Sequence, residues 1–221
     1  MGEVIRKTAD VGDIRKDVLT TLGRARERGG KVAEIAEARL GPHVALMQAA
    51  LAALEAAAHA EDATVARLLA ADAVADETVG AVADEVWNKL GRPAHDAFYD
   101  GLFPGGIQTY TRAEPRREAL LLTLLADNLA QTKHPRVEEA SWRAWSERVA
   151  AVQAPLAAAS QVHESAEART FIADRAFRAS VRSAWFDLVR AKRDYANAGL
   201  NEADIHAIIP DRPAAHAAPK E

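Results

Sequence analysis

Apolar side chains recur three and four residues apart along most of this chain, and that spacing leaves amphipathic α-helix as the structure that can hide them. The pattern is strongest after Pro42, where Val44, Met47, Leu51, Leu54 and Ala58 lead into Val65, Leu68, Leu69, Ala75, Val79, Val82, Val86 and Leu90. Earlier, Val11, Ile14, Val18, Leu22 and Ala25 keep the same period, as do Val32, Ile35 and Leu40. Later, Leu120, Leu121, Leu124, Leu125 and Leu129 read as one buried helix, and Trp142, Trp145, Val149, Val152 and Leu156 as the start of another. Ala168, Phe171, Ile172, Phe177, Val181, Trp185, Leu188 and Tyr195 carry a last long stripe.

Composition agrees with the spacing. Apolar residues make up 49% of the chain, aromatics only 5%, and much of the remainder is alanine, the best helix former. The expected fold class is all-α, a bundle of long amphipathic helices. A single helical-bundle domain is expected over residues 11–209, after a flexible lead-in at 1–10 and before a disordered tail at 210–221. Its halves are 11–90 and 114–209, joined by an ordered aromatic connector at 91–113.

Helix ends are marked by familiar signals. Gly29-Gly30 ends the first segment, Gly41-Pro42 the second, and Leu90-Gly91 with Pro93 the third. Glu61-Asp62 suggests a break near 59–63, because acidic residues suit a helix N-terminus. Pro155 should kink its helix, with a further break near Ser160. Asn201 can cap a short helix over 202–209, after Asn197-Ala198-Gly199 closes the one before.

Shifting the chain against itself by 102 residues sets Leu19 and Leu22 on Leu121 and Leu124, and Asp72, Val79 and Glu85 on Asp174, Val181 and Asp187. Two amphipathic stretches can match in this way without common origin, so the shift alone does not establish a duplication. It does expose a charge asymmetry. Residues 55–85 hold eight acids against one base, and residues 169–193 hold seven bases against two acids. Asp72 and Asp76 on the first stretch, and Arg175, Arg178 and Arg182 on the second, are candidate charged interaction faces, each set lying on one side of its helix.

The chemistry-bearing motifs are missing. There is no cysteine, so no disulfide, thiolate nucleophile or cysteine zinc site can form. No Glu-x-x-His, His-x-x-x-His, Walker loop or Gly-x-Ser-x-Gly occurs, so no catalytic residue, metal site or cofactor is expected. The formal net charge of −4 argues against nucleic acid as a partner. Residues 1–7 lack the apolar core of a signal peptide, and no uncharged apolar run reaches the length of a membrane span, so a cytoplasmic protein without stable membrane insertion is expected.

The connector is the compositional anomaly. It holds two of the three tyrosines and two of the five phenylalanines. A flexible linker would be polar, so this segment should pack, with a short helix over 94–100. His95, Asp96, Tyr99, Asp100, Phe103 and Tyr110 are the candidate ligand or partner surface. The leading expectation is a non-catalytic structural or protein-interaction protein that self-associates or binds another protein. The alternatives are a small-ligand binder or unusual enzyme using residues 91–113, and a membrane-active helical protein.

Overall fold

The structure is a computed structural model that describes residues 8–210. The expected lead-in and tail therefore lie outside the described residues, apart from Thr8–Asp10 and Pro210. Among the described residues 84% are helical and no strand occurs, so the fold is all-α, with its helices packed on one another. The elements are α1 (Val11–Arg28), α2 (Gly30–Lys89), α3 (Ala97–Leu102), α4 (Gln108–Thr111), α5 (Pro115–Gln131), α6 (Glu139–Asn197) and α7 (Glu202–Ile208).

Local chemistry sets the short elements. Asp10 caps α1 by accepting from the Gly12 N–H at 2.7 Å, and Gly29 ends it at a φ of 72° that costs glycine no Cβ clash. Pro115 opens α5 in the first turn, where a missing N–H goes unused. Asn201 caps α7 by accepting from the Asp204 N–H at 2.9 Å. The expected helix over 94–100 forms as α3, displaced toward the C-terminus to begin after Asp96.

The long helices overturn three expected breaks. α2 runs through Gly41-Pro42 and through 59–63, and α6 runs through Ser160, with Pro155 inside it. Extending an existing helix adds one bond per residue fixed, so a break needs a strong competing signal. Two acids among alanines do not supply one. Pro42 and Pro155 each deprive the carbonyl four residues earlier of its donor, but Ala38, Pro42, Ala151 and Pro155 are all solvent-exposed, so water can serve the freed acceptors.

The chain divides into two compact units. Unit one joins residues up to Ala57 with those from Thr170 on, and unit two is Ala58–Arg169. In unit one, Ile14, Val18 and Leu22 of α1 meet Leu40 and Met47 of α2, Val181, Leu188 and Tyr195 of α6, and Ile205 and Ile208 of α7. In unit two, Leu122, Leu125 and Leu129 of α5 meet Val79, Val82 and Val86 of α2 and Trp142, Trp145 and Val149 of α6, with Leu102, Phe103 and Tyr110 at the edge.

The two cores have the same internal register. A shift of 109 residues carries the buried positions Ala36, Leu40, Met47, Ala75, Val79, Val82 and Val86 of α2 onto the buried positions Trp145, Val149, Leu156, Ala184, Leu188, Ala191 and Tyr195 of α6. A shift of 104 carries Ile14, Val18, Thr21, Leu22 and Ala25 of α1 onto Glu118, Leu122, Leu125, Ala126 and Leu129 of α5. Both long helices also close alike. Arg92 N–H reaches back to the Trp87 carbonyl at 2.9 Å around Gly91, and Leu200 N–H reaches back to the Tyr195 carbonyl at 3.1 Å around Gly199.

Third helices cover only part of each long helix. No residue of α2 between Met47 and Ala75 is buried, and none of α6 between Ala166 and Val181. α5 also turns a different face inward from the one its leucines suggest. Leu122, Leu125 and Leu129 are buried, whereas Leu120 is 64% and Leu124 58% exposed. Truncating Leu122 to alanine is accordingly expected to lower unfolding free energy by about 2–5 kcal/mol, and truncating Leu120 by less than about 0.5 kcal/mol. Urea denaturation of the two variants checks this, and equal losses would contradict the helix phase.

Candidate functional site

The connector spends its polar groups on its own backbone. The Asp96 carboxylate accepts from the Phe98 and Tyr99 N–H groups at 2.9 and 3.0 Å and so caps α3. The Tyr110 hydroxyl is buried and donates to the Leu102 carbonyl at 2.7 Å. Thr109 donates to the Pro104 carbonyl at 2.7 Å across a turn in which Gly105 and Gly106 have positive φ. The rings of Tyr99, Phe103 and Tyr110 follow one another at centroid separations of 5.0 and 6.0 Å and finish the core of unit two. Burial raises the pKa of both tyrosines. His95 and Asp100 are exposed. The six candidates thus divide between a cap, a packed ring cluster and solvent.

Asp72 and Asp76 face a third acid that sequence reasoning passed over. Glu118, on the inward face of α5, is only 1% exposed. Desolvation, then the neighbouring charges of Asp76 and Asp72, and a hydrogen bond to Asp72, push its pKa up to about 8. So raised, Glu118 favours its protonated form at neutral pH. Glu118 Oε1 and Asp76 Oδ1 are buried without a hydrogen-bond partner, and burial, then Asp72, raises the Asp76 pKa as well. Among the described residues no group of three or more His, Asp or Glu side chains is placed to hold a metal ion. The signal was present in the spacing: Glu118 stands three, seven and eleven residues ahead of Leu121, Leu125 and Leu129.

Two further polar clusters repeat between the units. In unit one, Arg39 of α2 donates to Asp194 of α6 at 2.8 Å, beside Asn197, in a groove of about 600 Å³. In unit two, Arg148 of α6 donates to both oxygens of Glu85 of α2 at 2.8 Å, beside Asn88, in a groove of about 520 Å³. Each arginine, acid and asparagine matches its counterpart at the shift of 109. Glu85 also accepts from the Trp145 indole at 2.7 Å, and the Arg148 and Trp145 hydrogen bonds lower its pKa. His43 lies 2.6 Å from Asp187. Burial pushes Asp187 up, but the His43 and Arg190 hydrogen bonds outweigh it and leave the pKa lowered.

Arg175, Arg178 and Arg182 lie on the exposed side of α6 within unit one. Arg175 sits 5.1 Å above the Phe171 ring, and Arg178 pairs with Asp174 at 2.7 Å. Exposed apolar side chains accompany them, Phe171 at 59% and Ile172 at 66%. In unit two, Val65 and Leu69 are exposed on α2. α2 also contains an 18-residue window of mean hydropathy 1.2, of which only 11% is buried, so by length and composition it is apolar enough to cross a membrane.

No family model, curated protein or solved structure matches this chain.

Glu118 gives unit two a pH dependence whose sign is fixed. Its folded pKa lies above the ordinary 4.5, so the folded state holds an extra proton between those values and stability falls as pH rises through that window. Above about 8 the buried charge is present in full; below about 4.5 both states are protonated and the effect vanishes. Glu118→Gln keeps the shape and removes the titration. Its stability relative to the parent should grow with pH between those limits, approaching about 1.4 kcal/mol per pH unit. Denaturant titrations from pH 4 to 9 measure the difference, and a pH-independent one would refute the assignment.

Proposed function

We propose that this chain is a non-catalytic helical interaction protein that self-associates through the uncovered faces of its long helices. One observation carries the reading: α2 and α6 present exposed large apolar residues, Leu69, Phe171 and Ile172 among them, where no third helix covers them. Apolar side chains held on rigid helices and left in contiguous stretches favour association, because removing them from water is worth roughly 25 cal/mol per Å².

The polar clusters support the same reading. Asp96, Tyr110, Glu85 and Asp194 are engaged in caps and pairs that hold helices in place. The matching registers of the two units support an internal repeat in which each unit takes a first helix and half of a long helix from one repeat, and the other half of a long helix from the second. Such a repeat would present two related surfaces on one chain. The apolar window of α2 favours a second reading, a membrane-active helical protein, because it too needs an exposed apolar helix face.

Sedimentation velocity of the full chain from about one to tens of micromolar separates the readings, with an expected rise in sedimentation coefficient as concentration increases, since specific interfaces reach micromolar affinity and better. A monomer throughout, combined with capture by lipid vesicles, would replace self-association with the membrane reading.

A further inference from the structure

The uncovered faces differ in charge, and the difference is organised. On α2 in unit two, Asp62, Val65, Leu69 and Glu77 are all exposed and lie within about 120° of one another around the helix, Val65 at the border of the buried stripe. On α6 in unit one, Phe171, Ile172, Arg175 and Arg182 are likewise exposed on one side. On α2, Asp62 and Glu77 stand about four turns apart and flank Val65 and Leu69; on α6, Arg175 and Arg182 stand about two turns apart, C-terminal to Phe171 and Ile172.

We propose that these two faces are each other's partner across copies: the basic α6 face of one chain docks on the acidic α2 face of a second copy. This rests on the self-association reading and names the surfaces that perform it. Val65 and Leu69 supply the apolar area that Phe171 and Ile172 would cover. Asp62 and Glu77 make one face acidic, and Arg175 and Arg182 make the other basic, so that the acidic face repels its own kind and accepts the basic one. The arginines suit this role, since Arg175 already lies over an aromatic ring and a guanidinium keeps its planar donors available to a carboxylate while stacked. The contact is heterologous, joining two different patches, and each chain carries both. Rim charges of this kind set orientation and encounter rate, while the apolar centre holds the contact, so association should weaken with salt without vanishing.

The test is a charge exchange in the full-length protein. One variant carries Arg175→Glu and Arg182→Glu, leaving two acidic faces; another carries Asp62→Arg and Glu77→Arg, leaving two basic faces. All four sites are exposed, and circular dichroism with thermal unfolding establishes that both variants fold. Sedimentation velocity should show each variant alone shifted toward monomer, with apparent affinity reduced at least tenfold, and an equimolar mixture restored toward the parent. Parent-like association of either variant alone, or a mixture that stays monomeric, overturns the pairing while leaving self-association standing if the parent associates. A parent that is itself monomeric and binds vesicles overturns both.

Discussion

A helix packed against one partner buries one stripe of its surface, and only a second partner on another side buries more. In both units of this protein the long helices have that second partner over part of their length. Where α1 joins them in unit one and α5 in unit two, side chains such as Leu22, Leu40, Leu122 and Val149 are removed from water entirely. Away from those helices, Leu51, Leu54 and Leu68 reach only intermediate burial. Core and uncovered surface are thus consequences of one limit, the reach of an 18-residue and a 17-residue helix along partners of 60 and 59.

The sequence made the helices legible and left their continuity and phase obscure. Caps are short-range chemistry, so Gly29, Asn201 and Gly199 could be read where they stand. Breaks are competitions: Pro42 removes one hydrogen bond, but a stripe that continues on both sides keeps the helix together. The phase of α5 was misread because leucines at 120, 121, 122, 124, 125 and 129 spread over an arc of about 200°, and leucine count alone cannot choose the inward part of it. The residue that could have chosen is Ala119, small and buried beside Glu118 where α5 approaches its neighbours.

The proposed repeat shows the same limit in another form. The sequence shift of 102 differs from the structural shift of 109 by one heptad, which returns a helix to nearly the same face. It therefore aligned the α2 and α6 stripes convincingly two turns out of place. On α1 and α5 the error is two residues, about 200° of rotation at 3.6 residues per turn, which set buried Leu22 against exposed Leu124. Ion pairs resolve what apolar periodicity cannot. Arg39 with Asp194 and Arg148 with Glu85 correspond at one shift, because a salt bridge fixes a single residue on each helix rather than a face.

Of the proposed sites, the connector was legible as ordered, and its aromatics do pack, but the sequence could not show that Asp96 and Tyr110 spend their polar atoms on neighbouring backbone. The charged stretches were legible as a contrast without geometry. Structure separates them into charges with different work. Asp72 and Asp76 belong with buried Glu118, whose pKa desolvation and their charges raise, and Arg178 is drawn to Asp174 on its own helix. Asp62, Glu77, Arg175 and Arg182 remain on exposed faces with large apolar neighbours. A buried acid cluster lowers stability, and exposed charges add little to it. Stability of the monomer therefore does not account for the segregation of charge between α2 and α6. In the self-association proposed above it would have a use, since it would penalise like faces meeting and favour unlike ones.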